Sequence, residues 1–217
     1  MFKNIFWSSL VSERMPYTPE HKARTRARIV ECARVMFNRR GFDAVSIDDV
    51  MREAGLTRGG FYNHFRSKDE LYAEAVMSFG SCNPFAKELA KLPTRPEPRK
   101  LARMLVELYL SDEVLEDVTQ HCPLVALPSD VARAGLKPRA AYTQVVRNML
   151  HVFRVAFSAE DPEAESKAQV MLNLCVGGMV IARTTDDANL RRSLRSAARG
   201  QALSLLADGE GERVRSA

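Results

Sequence analysis

A chain of 217 residues has room for one large domain or for a small head and a larger body, and 46% hydrophobic content is enough to bury a core. A formal net charge of +5 favours an anionic partner. Four widely separated cysteines, Cys32, Cys82, Cys122 and Cys175, with no Cys-x-x-Cys pair and no clustered histidines, argue against a disulfide or zinc framework and for a reducing, cytoplasmic setting.

The opening stretch MFKNIFWSSLVSER has an apolar run broken by Asn4, Ser8 and Ser9 and no small-residue cleavage site, so it does not read as a signal peptide. Residues 1–14 are expected to be an upstream extension or a disordered arm, and 1–18 to lie outside the folded part. The first helix is expected from about Pro19 to Arg40. His21, Lys22, Arg24, Arg26 and Arg28 make its first turns basic, either as a solvated face or as a patch along a phosphate backbone. Ile29, Ala33, Met36 and Phe37 form the buried stripe, with Cys32 beside it. Gly41 ends the helix, and as C′ it makes Phe37 and Phe42 the apolar pair of a Schellman ending.

Ser46 to Lys68, SIDDVMREAGLTRGGFYNHFRSK, organises the chain. Ser46 is a candidate N-cap with Asp49 as its capping-box partner, and Ile47, Val50, Met51 and Ala54 follow at helical spacing. Gly55 supplies a left-handed stop, Leu56 packs under the corner, and Thr57 is placed to cap a second helix from Arg58 to about Phe65. That helix buries only Phe61 and Phe65, leaving Thr57, Arg58, Tyr62, Asn63 and Arg66 outward. Such a face of donors and one phenol suits a DNA groove. Arg58 and Lys68 sit in first turns of helices, where a cation is mildly unfavourable unless an external anion reverses the sign. Gly59 and Gly60 weaken the helix yet allow close approach to a phosphate or base edge.

These residues resemble the DNA-binding head of the TetR family of transcriptional repressors. The likeness covers roughly Lys22 to Val76 and rests on an ordered set: a helix ending in Arg-Arg-Gly-Phe, then Ser-Ile-Asp-Asp-Val, Ala-Gly-Leu-Thr, Phe-Tyr-Asn-His-Phe and Ser-Lys-Asp-Glu-Leu. The Gly59-Gly60 pair departs from it, standing where a larger, more helix-favouring residue is usual. The resemblance implies an all-α homodimer that binds a double-stranded palindromic operator and releases it when a small-molecule effector enters the body. It further implies that Tyr62, His64 and Lys68 contact phosphates and that Arg58, Gly59 and Asn63 face the bases. Ser46 and Thr57 are caps first, with phosphate contact as an added role.

Beyond the head, Ser67 with Glu70 caps a long helix bearing Leu71, Ala75, Val76 and Phe79 inward, and Gly80, Asn83 and Pro84 bend or interrupt it before a resumption from Phe85 to Leu92. By resemblance this connecting helix swings when ligand binds. Pro93 to Lys100 reads as a linker. Leu101, Met104, Leu105, Leu108 and Tyr109 then share a face. A short helix from Asp112 and an irregular helical stretch around His121, Cys122, Pro123 and Pro128 lead to about Ala134. From Arg139 to Phe157 apolar residues are too numerous for a surface helix, which places this one centrally. Two helices close the chain, about Pro162 to Arg183 and Asp187 to Ala207, the second with leucines on one side and arginines opposite, and residues beyond Asp208 frayed. By resemblance these two pair with their copies in a four-helix interface; Gly177-Gly178 serves that close approach or an internal crossing.

No nucleophile elbow, metal-binding helix motif or phosphate-cradling loop occurs, so neither an enzyme nor a cofactor or metal is expected. Met104, Tyr109, Tyr142, Met149, Phe153 and Met179 suit a cavity for a flat or greasy molecule, and equally a packed core. Cys122 beside His121 is a buried inert cysteine or, less favoured, an oxidant-sensing thiol. The expected architecture is all-α with about nine helices: a helix-turn-helix unit over 19–66 and a helical ligand-binding and dimerisation unit over 67–217. The competing reading is a helical small-molecule-binding or enzymatic protein with a vestigial head.

Overall fold

The computed structural model describes residues 18–82, 84–94 and 96–215, so the opening stretch 1–14 lies outside the described residues. Among these the chain is helical, with eleven α-helices, the surplus over nine coming from short turns in the body. α1 spans Pro19–Arg40, α2 Ile47–Glu53 and α3 Lys68–Cys82, with a tighter helix at Arg58–Asn63 between the last two. α4 spans Pro84–Ala90, α5 Pro98–Tyr109, α6 Asp112–Glu116, α7 Pro123–Ala126 and α8 Pro128–Arg133. α9 (Leu136–Arg154), α10 (Ala164–Thr184) and α11 (Ala188–Arg215) complete the chain. α11 thus continues past Asp208, where the sequence suggests fraying.

Local chemistry accounts for most boundaries. Thr18 caps α1, its hydroxyl oxygen accepting from the His21 N–H at 3.2 Å, with Pro19 in the first turn. The Ser46–Asp49 capping box forms in both directions at 3.1 Å. Ser67 caps α3 through the Glu70 N–H, but the Glu70 carboxylate accepts from the Arg66 N–H, one residue earlier than a reciprocal box requires. Ser111 caps α6 in the same way.

The two glycine stops differ from expectation in an instructive way. At α2, Gly55 (φ 65°) and Leu56 complete a Schellman ending, with Leu56 N–H to Met51 O at 2.8 Å and Gly55 N–H to Arg52 O at 3.0 Å. At α1, where the Schellman pattern is expected, Gly41 (φ 78°) makes only the single bond to Phe37 O, and the Phe42 N–H instead donates to Asp130 of α8 at 3.2 Å. The Phe37 and Phe42 rings still meet, 5.8 Å apart. A Cβ on Gly41 would stand 3.0 Å from the Asp130 carboxylate, whereas one on Gly55 meets nothing within 4 Å. Gly41→Ala is therefore expected to cost about 2–3 kcal/mol and Gly55→Ala about 1 kcal/mol in urea denaturation, the difference being the collision with Asp130. Equal losses would show that backbone strain alone sets both.

One hydrophobic core runs from Ile29 to Leu206. α3 joins the two ends of the molecule, packing on α1 and on α9, while α9 also packs against α5, α7, α8 and α10. That central position follows from the inward row Val145, Met149 and Phe153, all buried. α10 and α11 pack along each other. Gly178 serves this crossing, since its Cβ would lie 2.8 Å from that of Ala198; Gly177 faces open space.

Three buried polar residues were not legible as such. Arg34 and Asn38 lie on the inner face of α1 and reach the carbonyls of Thr119 (2.6 Å) and His121 (2.9 Å) respectively. Arg195, one of the arginines assigned to the outer side of α11, is buried, donates to Leu110 O at 2.9 Å and pairs with Asp112.

Candidate nucleic-acid interface and body cavity

The segment after Thr57 is a 3-10 helix over Arg58–Asn63, not the α-helix to Phe65 that the spacing predicts. Two adjacent glycines explain it: each forgoes about 1 kcal/mol of α-helical propensity, and three residues per turn is the shorter alternative. The Thr57 side chain makes no cap bond, in contrast to its expected role, so its exposed hydroxyl is not committed to the turn. Eclipsed rows at i and i+3 set the geometry. Gly59 and Tyr62 share an outward row and Asn63 is exposed, whereas a Cβ on half-buried Gly60 would meet the buried Met51 side chain at 3.5 Å and His64 follows buried Phe61 inward.

Thr57, Arg58, Gly59, Tyr62 and Asn63 consequently form one exposed strip, with Tyr62 61% exposed and Gly59 unobstructed. Phe61 and Phe65 hold the strip from beneath, their rings stacked 5.5 Å apart. Arg58 is not free: its guanidinium pairs with Asp48 of α2 at 2.8 Å. Both partners are exposed, so the pair is worth little and a phosphate or base edge competes with it. Ser46 is exposed, with its hydroxyl engaged in the capping box.

His64 and Lys68 are placed differently from that strip. His64 is half-buried with Nδ1 unpartnered, and burial, with Lys22 and Arg26 nearby, lowers its pKa. Lys68 donates to Phe42 O and lies 4.0 Å from the centre of the Phe42 ring. Burial lowers its pKa as well. A cation at the start of α3 is thus offset from within the protein. Arg26 also departs from the basic patch: it pairs with Glu74, donates to His64 O and covers the Phe65 ring at 4.0 Å, tying α1 to the strip and to α3. His21, Lys22, Arg24 and Arg28 are exposed.

In the body, α3, α4, α5, α6, α7, α9, α10 and the turn before α7 line a cavity of about 290 Å³ that is partly open to solvent. Of the six candidates, Tyr109, Met149 and Met179 line it; Met104, Tyr142 and Phe153 do not. Tyr142 instead donates to Leu124 O and Phe153 is core. Gln120, His121 and Cys122 also line the wall. Burial pushes the Cys122 thiol up to about 11, so it stays protonated at neutral pH, which favours the inert reading. Among the described residues no three His, Cys, Asp or Glu side chains could hold a metal, and no helix is long and apolar enough to cross a membrane.

The wall and the head share a short stretch of backbone. The carbonyls of Thr119 and His121 accept from Arg34 and Asn38 of α1, while Gln120 and His121 are among the residues that line the cavity. Sequence signals for this existed in part: Arg34 follows Val30 by four residues and precedes Phe37 by three, which places it on the buried stripe.

Residues 29–75 match the family model described as bacterial regulatory proteins, tetR family. Among curated proteins, an uncharacterized HTH-type transcriptional regulator, YfiR, of Bacillus subtilis is 39% identical over 59 residues, 27% of this chain and 29% of that protein. The HTH-type transcriptional repressor KstR2 of Mycolicibacterium smegmatis is 34% identical over 64 residues, 30% of this chain and 31% of that one. These alignments therefore span about a third of those relatives' length. A TetR transcriptional regulator from Chloroflexus aurantiacus has the same fold, with a TM-score of 0.68 at 18% identity over 87% of this chain and 96% of that one.

Proposed function

We propose that the chain, whose head matches the tetR family model and whose fold is shared with a TetR regulator, is a homodimeric transcriptional repressor that grips a palindromic operator and releases it when a small molecule enters the body. Residues 19–66 act as the DNA-binding unit and 67–217 as the unit for ligand and dimer. The observation that carries the reading is the shared backbone at Thr119–His121, which bonds to α1 on one side and walls the cavity on the other. A ligand that displaces the Gln120 or His121 side chain moves the carbonyls holding Arg34 and Asn38, and α1 carries the head with it. Differential contact of this kind is what release requires.

On DNA, the strip from Thr57 to Asn63 enters the major groove, with Arg58, Gly59 and Asn63 at base edges and Tyr62 at a phosphate. Ser46, Thr57, His64 and Lys68 flank it on the backbone; Lys68 turns from Phe42 to do so. Two copies a helical turn apart, about 34–36 Å, read both half-sites. Duplexes selected from a random pool are expected to be palindromic and to be released by cell extract. A monomer indifferent to duplex DNA in dilute buffer overturns the reading.

Role assignment within the strip has its own test. Arg58→Ala is expected to relax discrimination at one base pair by about 1–3 kcal/mol, and Lys68→Ala to weaken all sequences alike and lower the salt slope by about 1. Fluorescence anisotropy across salt concentrations and single-base variants reads both. Equal loss from the two changes with no altered preference would reverse the assignment.

A further inference from the structure

We propose that Asp48 is a positioning residue for base readout: it holds the Arg58 guanidinium so that the remaining donors read one guanine in the major groove and turn away from the phosphates. The inference rests on the DNA-binding reading above and names the base and the residue that sets it. Arg58 Nη1 donates to Asp48 Oδ2 at 2.8 Å across the corner between α2 and the exposed strip. Asp48 makes no other hydrogen bond or ion pair among the described residues, since the capping box of α2 and the pair with Arg52 both belong to Asp49. The helix dipole accounts for an acid in the first turn of α2, but not for its use on Arg58.

The pair leaves most of the guanidinium free. Its five N–H donors lie in one plane, and the bond to Asp48 engages only Nη1. Nε and Nη2 can then address an edge that offers two adjacent acceptors. In the major groove guanine alone presents two, N7 and O6, whereas adenine and cytosine each present a donor and thymine a single acceptor beside a methyl group. Gly59, next along the strip, is exposed, and a Cβ on it would meet nothing within 4 Å, so the base edge has room to approach.

A phosphate also offers two acceptors, and charge decides between them. The Arg58 and Asp48 side chains are 65% and 48% exposed, which puts the carboxylate on the surface that meets DNA. A duplex carries one negative charge per about 1.7 Å of its axis. A phosphate seated on Arg58 would stand beside the Asp48 carboxylate, like charge against like, whereas the guanine edge is neutral. Docking excludes water and strengthens both the ion pair and that repulsion. Arg58 alone suits either acceptor; Arg58 held by Asp48 suits guanine.

Fluorescence anisotropy with the full-length protein tests this on duplexes selected from a random pool, each base then substituted in turn. The position read by Arg58 is the one at which Arg58→Ala loses discrimination, and it is expected to hold guanine. Asp48→Ala and Asp48→Asn, the second matching Asp in shape without its charge, are each expected to lower the preference for guanine there by about tenfold. Both should also raise affinity for an unrelated duplex and steepen the salt slope by about one per head, as Arg58 turns to a phosphate. Asp48→Asn stands alone should Asp48→Ala unfold α2. On top of Arg58→Ala, Asp48→Ala should leave every base preference unchanged, whereas a base contact made by Asp48 itself would still be lost. Undiminished guanine preference in the Asp48 variants, a uniform loss on all duplexes, no position sensitive to Arg58→Ala, or a base other than guanine at that position overturns the proposal and leaves operator binding intact. A wild-type protein indifferent to every duplex overturns operator binding itself, and the role of Asp48 with it.

Discussion

Phe65→Ala is expected to remove about 3–5 kcal/mol, to melt the head ahead of the body, and to abolish operator binding at temperatures where the body remains helical. Phe65 is 1% exposed and closes the short turn-rich segment that carries the exposed strip. Its ring stacks on Phe61 and lies under the Arg26 guanidinium, which in turn pairs with Glu74 and holds the His64 carbonyl. Removing the ring leaves a cavity and strips the apolar support from a partly buried cation at the same point. Few other groups hold the strip, since a 3-10 helix with two glycines has little stability of its own. Against a total of about 5–15 kcal/mol, such a loss is large. Hydrogen exchange resolved by segment would check it: protection should fall across Val45 to Arg66 and persist in α9 and α10. Uniform loss of protection would show that head and body unfold as one unit.

What the residue pattern conveyed divides by the range of the interaction. The bounds of α1, the capping box at Ser46 and Asp49 and the Gly55 stop each depend on neighbours within four residues, and each is found. The strip was legible as a surface but not as a 3-10 helix, because the glycine cost has to be weighed against tertiary contacts that spacing does not reveal. Arg34, Asn38 and Arg195 find partners 81 to 85 positions away along the chain, mostly carbonyls. A carbonyl carries no residue-type signature, so these bonds leave no trace in sequence beyond a polar residue on an apolar stripe. Asp130 is a parallel case, since it accepts from Phe42 N–H and thereby replaces the Schellman bond expected at Gly41. The cavity was half legible: greasy residues were identified, but which of them face a void is a matter of packing.

Ile181→Asp is expected to leave a folded monomer and to weaken binding to a palindromic duplex by about 100-fold or more, the loss of one linked binding event. Ile181 is 51% exposed and Val170 41%, and with Leu174 and Gly177 they fall at positions 170, 174, 177 and 181, one stripe along α10. Gly177 leaves that stripe low enough for another backbone to approach, while the neighbouring Gly178 is already used against Ala198. In a two-fold interface every residue appears twice, so one aspartate introduces two buried charges across the axis with no cation on the stripe to meet them. A single head then binds alone, at the affinity of one half-site. Leu136→Asp is the matched control: Leu136 is 85% exposed at the start of α9, outside the stripe, and its replacement should leave mass and affinity unchanged. Sedimentation and anisotropy on full and half operators separate the outcomes. A dimer that survives Ile181→Asp would move the two-fold surface elsewhere, and a monomer that binds the full palindrome undiminished would remove the requirement for two heads.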